Sequence, residues 1–117
     1  MKRGEIWTVA GAPDYAGQPR PAVVVQDAAS EDSGPVTICW LTTTLLSPAV
    51  AGLAQIRPTV PASGENGLAQ TSQVMADKIS TVPRARLGVF VGTLEPTYLE
   101  QLDQALLRFL GLARTSR

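Results

Sequence analysis

The chain reads as a mainly β protein of the α+β class: a small, strongly bent antiparallel sheet closing toward a barrel, with one C-terminal α-helix. Three observations lead there. Five or six short runs rich in β-branched and aromatic residues are separated by turn-forming clusters. The strongest run, Val23-Val24-Val25, is introduced by Pro19-Arg20-Pro21, a stiff entry that suits the opening of a strand and not its middle. Near the end, apolar residues recur at helical spacing. A chain of 117 residues makes one domain, 1–117, able to bury about two-thirds of its unfolded surface.

Taken in order, residues 4–10 form a strand through Ile6, Trp7 and Val9, and residues 11–19, rich in Gly, Ala and Pro around Asp14 and Tyr15, form a loop that ends beside Arg20. The valine strand follows from Pro21. Residues 27–34 are polar and turn-forming, and 35–43 return to strand through Val36, Ile38, Trp40 and Leu41, with Thr42, Thr43 and Thr44 closing it. A loop around Ser47-Pro48 leads to a weak strand at 53–57, ended by Pro58, and then to a turn cluster over 61–67. Partial alternation through Val74, Met75 and Ile79 makes 71–79 a strand. Pro83 opens a single helical turn within 81–87, and 88–94 is the last strand, through Val89, Phe90 and Val91. In the terminal helix Tyr98, Leu102, Ala105, Leu106, Phe109 and Leu110 share one face, which closes the β core. Thr97 and Glu100 have capping-box spacing, Pro96 is an alternative opening, and Gly111 is placed to stop the helix.

Composition narrows the chemistry. Ten basic and ten acidic side chains cancel, so no bulk field draws the protein to nucleic acid or membrane, and a polyanion must be caught by local placement. The basic start Met1-Lys2-Arg3 is followed by Glu5, Thr8 and Asp14, which break the apolar run a secretion signal needs, and no segment reaches the length of a membrane span. The single cysteine, Cys39, lies in an apolar run and reads as a core residue of a cytoplasmic protein. With no histidine, zinc sites and cysteine-histidine catalysis drop out, and neither metal nor cofactor is expected. Arg20 stands out against this background. Gly17 frees the backbone ahead of it, the flanking prolines stiffen it, and a planar guanidinium at the mouth of a buried strand can hold a phosphate or a carboxylate as readily as a surface ion pair.

The opening KRGEIWTV, the GQPRPAVVVQ strand, the WLTTT strand end, NGLAQTSQVMADKIST, RARLGVFVGTL and the terminal LEQLDQALLRFLGL together resemble, in order and over nearly the whole chain, the MazF/PemK family of toxin ribonucleases. The resemblance implies an SH3-like barrel, a homodimer, and metal-independent cutting of single-stranded RNA, held in check by a cognate antitoxin. The family's catalytic arginine stands before the proline of the valine strand, which is Arg20 here. Its catalytic serine or threonine ends the next strand, which is Thr42, with Thr43 as the neighbouring alternative. Gln18, Tyr15, Thr43 and Lys78 are the candidate RNA contacts. The residues leave the proton acceptor open: Glu5, Asp27 and Asp77 are acids on or beside strands, and each equally suits a structural carboxylate.

The chain departs from the family pattern at two places. Ser80 stands where an arginine is common after the late strand, a change expected to weaken RNA contacts or alter the cut sequence, and Pro83 stands where an acidic cap is common. Trp7 and Trp40 could stack bases, but their apolar strand surroundings favour core packing. Two rival functions share the fold: a gyrase inhibitor of the CcdB type and a catalytically silent barrel that only binds an antitoxin. The first family carries a tryptophan in its tail, and residues 112–117 contain none.

Overall fold

β-Branched and aromatic residues pointing to both faces of the central strands decide the architecture. The computed structural model describes residues 1–11, 18–27, 34–47 and 52–112. Six strands, β1 (Glu5–Val9), β2 (Arg20–Val24), β3 (Val36–Thr42), β4 (Thr59–Val60), β5 (Ser72–Val82) and β6 (Leu87–Thr93), precede the helix α1 (Pro96–Phe109). They pair antiparallel in the order β4-β5-β3-β2-β1-β6. Side chains alternate across a strand, so Val23, Cys39 and Leu41 join Ile6, Val74 and Ala76 on the face that α1 covers through Leu102 and Ala105. Ala22, Val24, Ile38 and Trp40 point the other way, to Val9, Val36, Met75 and Val82. A flat sheet could not bury both faces with one helix. The sheet curls instead, and it does so where the β3–β5 register jumps between Cys39 and Leu41, the partners passing from Ile79 to Val74.

Several sequence expectations are corrected. The weak strand at 53–57 is a 3-10 turn, Ala54–Ile56, closed by local bonds from Ile56 N–H to the Leu53 carbonyl and Arg57 N–H to the Ala54 carbonyl; the strand comes only after Pro58. β5 runs on to Val82 because Thr81 and Val82 find partners in Thr37 and Val36, which leaves the expected helical turn as a 3-10 turn, Arg84–Arg86. No capping box forms at Thr97: Pro96 is the first helical residue and Glu95 precedes it. The helix stop is as expected, with Gly111 at φ +73°, Gly111 N–H bonded to the Arg108 carbonyl and Leu112 N–H to the Leu107 carbonyl. Phe109 and Leu110 are 44% and 53% exposed, because the last turn runs past the core, whereas Leu99 packs inward against Gly4.

Two polar devices hold the curled sheet to its helix. Asn66 is completely buried; its Oδ1 accepts from Ser63 N–H and Leu68 N–H, and its Nδ2 donates to the Pro61 carbonyl and to Glu95 Oε1. Ser63 Oγ donates to the other Glu95 oxygen. The loop thus grips the residue before α1, and it lies so close to β6 that a Cβ on Gly67 would sit 2.0 Å from the Val91 carbonyl oxygen. The second device is the fork of Arg57, whose Nε and NH2 reach the two oxygens of Asp77 at 2.9 and 2.8 Å, pinning the 3-10 turn to β5. Those hydrogen bonds outweigh the partial burial that opposes them and hold the Asp77 carboxyl below the ordinary carboxylate range.

Asn66→Asp keeps the shape but turns the amide donor facing Glu95 into a like charge, and urea unfolding should show a loss of about 3 kcal/mol or more; a loss within about 0.5 kcal/mol of zero would contradict the role given to Nδ2. A carboxyl depressed in the fold adds stability above its unfolded pKa that is lost as pH falls through the folded one. Arg57→Ala removes the largest of the causes that depress Asp77, leaving burial, which raises it, against only a backbone hydrogen bond and the Lys78 charge, so acid unfolding of that variant should begin at higher pH than in the wild type. Identical acid midpoints would refute the linkage.

Candidate active site

The β2–β3 register builds the site. Ala22 pairs with Trp40, Val23 with Cys39 and Val24 with Ile38; carried two residues further, the same register sets Arg20 across from Thr42. On its other side Arg20 pairs with Val9 of β1. The arginine therefore rises from a backbone clamped between two strands and bracketed by Pro19 and Pro21, half-buried at the end of the sheet. The strand opens at Arg20 itself, one residue before the expected Pro21.

Gln18, Pro19, Arg20, Pro21, Leu41, Thr42, Thr43 and Ser72 line one cleft of about 190 Å3. Thr42 is buried, and its Oγ1 accepts from Thr44 N–H at 3.1 Å, which leaves the O–H to donate. Thr43 is exposed at the rim. Across the mouth, the buried Ser72 gives its hydroxyl proton to the Gln70 carbonyl, so its oxygen is an acceptor. Within this described lining Arg20 is the charged group. A half-buried guanidinium beside hydroxyls, with no carboxylate among those residues, suits a phosphate: the fork supplies charge and paired donors, and Thr42 a further donor.

Four of the sequence candidates, Gln18, Arg20, Thr42 and Thr43, thus come together. Tyr15 lies outside the described residues. Lys78 is exposed on β5 and does not line the cleft. Two of the acids are engaged elsewhere, Asp77 with Arg57 and Glu5 with the Trp7 indole N–H, which its carboxylate accepts at 3.0 Å, and Asp27 is exposed and does not line the cleft. Trp40 is buried and donates its indole N–H to Ser80 Oγ at 3.0 Å, so the departure at Ser80 serves the core. Trp7 is half-buried, edge-on to Phe90. Burial pushes the Cys39 thiol up to about 12, which suits a core residue. Among the described residues no group of acids and thiols could hold a metal ion, and no helix is long and apolar enough to cross a membrane.

Ser72 and Gln73 were not legible in the sequence. They are consecutive polar residues at the start of a strand, both buried, which strand alternation does not anticipate. A larger depression, about 650 Å3, lies between α1 and the turn that precedes β4. Its arginines bond within the fold, Arg57 to Asp77 and Arg108 to Gln55, and the smaller cleft is the stronger candidate because it gathers Gln18, Arg20, Thr42 and Thr43.

Comparisons with known proteins bear on the family and the fold. Residues 2–110 match the family described as PemK-like, MazF-like toxin of type II toxin-antitoxin system. A probable endoribonuclease MazF of Mycolicibacterium smegmatis is 40% identical over 113 residues, 97% of this chain and 99% of that protein. A mycobacterial endoribonuclease solved in complex with its cognate antitoxin has the same fold, with a TM-score of 0.77 at 22% identity over 98% of this chain and 99% of its own. The Mycobacterium tuberculosis toxin MazF-mt6 superposes with a TM-score of 0.72 at 26% identity, covering 94% and 99%. Matched over residues 2–110 and 40% identical to a relative across nearly its whole length, the chain belongs to the PemK-like, MazF-like toxins of type II toxin-antitoxin systems.

Proposed function

We propose that the protein is a toxin endoribonuclease that cuts single-stranded RNA, messenger RNA included, at specific sequences through the substrate's own 2′-hydroxyl. The observation that supports this reading is that Arg20 and Thr42 line one cleft together with Gln18, Thr43 and Ser72. The 2′-oxygen attacks phosphorus, the bond from phosphorus to the 5′-oxygen breaks, and the products are a 2′,3′-cyclic phosphate and a 5′-hydroxyl. Arg20 offsets the extra negative charge of the phosphorane, and Thr42 donates to one of its oxygens; fixed donors aimed at developing charge supply the catalysis. Neither role calls on a metal. Gln18 and Thr43, at the cleft rim, contact the neighbouring nucleotides.

Two partnerships belong to the same proposal. Val89 and Phe90 on the edge strand β6, and Leu107, Phe109, Leu110 and Leu112 at the helix end, are exposed apolar residues of the kind a second copy covers; a homodimer interface of about 1,200 to 2,000 Å2 fits a stable pair. A cognate antitoxin, acting in the cytoplasm, lays an acidic segment over the cleft, its carboxylates taking the contacts that the phosphate uses. The mycobacterial neighbour was solved in complex with its cognate antitoxin.

Arg20→Ala should lower the cleavage rate by about 10² to 10³, the loss expected on removing one oxyanion donor, and should weaken antitoxin binding. Lysine at position 20 should recover little of the rate, since it restores the charge without the fork. An RNA whose cut-site 2′-oxygen is replaced by hydrogen should resist cleavage, and a chelator should leave wild-type activity intact. Full activity of Arg20→Ala would move the chemistry to another site, and a wild type that cuts no RNA would leave the silent antitoxin-binding barrel as the better reading.

A further inference from the structure

Gln73 is a buried glutamine that does not itself line the cleft but stands beside residues that do. In register it faces Thr42 across β3 and β5, and Thr59 of β4 on its other side. Its side-chain amide grips one residue of the segment leaving β3 from both sides: Oε1 accepts from Leu46 N–H at 3.0 Å, and Nε2 donates to the Leu46 carbonyl at 3.3 Å and to Thr59 Oγ1 at 3.2 Å. A two-point amide clamp of this kind does for Leu46 what a neighbouring strand does inside a sheet. The short chain between the clamp and the strand end carries Thr43 and Thr44, and Thr44 N–H closes back onto Thr42 Oγ1. With Thr44 N–H on one lone pair of Thr42 Oγ1, the directions open to the O–H are narrowed.

We propose that Gln73 is a positioning residue for catalysis, setting the direction of the Thr42 hydroxyl through Leu46 and Thr44. Gln73 and Leu46 border a separate depression of about 230 Å3, together with Ala54, Gln55 and Thr59, so the clamp works from behind the cleft wall without meeting RNA there. Water from that depression can solvate the Leu46 peptide if the clamp is removed, which lets the fold survive the change. The inference rests on the reading that Arg20 and Thr42 cut RNA.

Gln73→Met keeps length and bulk while deleting all three hydrogen bonds. With an unstructured RNA that the wild type cleaves, its single-turnover rate should fall about 10- to 10²-fold, the scale on which a small misplacement of a reacting group acts. Affinity for the all-2′-deoxy version of that oligonucleotide should be unchanged. In a Thr42→Val background the same substitution should have little further effect on rate, because the hydroxyl it positions is gone. A full loss in that background, or a loss of affinity with no loss of rate, would overturn the proposal. Hydrogen exchange without RNA separates this outcome from the parent reading: Leu46 and Thr44 amides should exchange faster in Gln73→Met while Val23 and Val74 keep their protection. Unchanged exchange at Thr44 overturns the clamp whatever the RNA results, whereas an active Arg20→Ala overturns the reading on which it rests.

Discussion

The pairing of β2 with β3 is the constraint on which site and core both depend. One register buries Val23, Cys39 and Leu41 toward the helix and Ala22, Val24, Ile38 and Trp40 toward the opposite cluster. A slip of one residue would exchange these faces and expose both cores. The same register, extended to the strand ends, sets Arg20 across from Thr42, so the energy that fixes the core also fixes the distance between the two groups. Each large apolar side chain fully buried on these strands contributes about 1.5 to 3 kcal/mol, far more than the turn of either polar side chain could resist. The cleft is in this sense a by-product of packing, held to the accuracy of the sheet.

Polar clamps finish what packing begins. Arg3 ties the start of the chain to the end of β2 and to the helix, donating Nε to the Val25 carbonyl at 2.9 Å and meeting Asp103 at 2.6 Å. Asn66 and Glu95 anchor the first turn of the helix, Arg57 and Asp77 anchor the turn before β4, and Gln73 anchors the chain leaving β3. Each lies where an irregular segment must be joined to regular structure, and each satisfies backbone or charged groups that would otherwise be left in a poorly hydrated place.

The strands, the helix and Arg20 were legible because each declares itself over a short window: three valines behind a proline-bracketed arginine, threonines at a strand end, apolar residues at helical spacing. Thr42 was legible only together with the family resemblance, since its partnership with Arg20 depends on a register that no local window contains. Long-range pairing also explains the misses. Residues 81 and 82 are strand because Thr37 and Val36 lie beside them, residues 53–57 are a turn because no strand lies there to receive them, and Phe109 and Leu110 are exposed because the core ends before the helix does. Lys78 looked suited to a phosphate by charge alone, yet the long strand carries it away from the cleft. Gln73 and Ser72 gave no signal, because a buried polar residue is recognised by its partners, and those are 27 and 2 residues away.

The account turns on chemistry at the Arg20–Thr42 cleft, and the end groups of the cut RNA report that chemistry directly. Purified protein should leave fragments whose upstream ends resist periodate and release phosphate to a phosphatase only after acid opens the cycle, and whose downstream ends accept phosphate from a polynucleotide kinase without prior treatment. These are the properties of a 2′,3′-cyclic phosphate and a 5′-hydroxyl. Fragments bearing a 3′-hydroxyl and a 5′-phosphate would mean that water, not the 2′-oxygen, attacks phosphorus, and would contradict the mechanism assigned to this cleft.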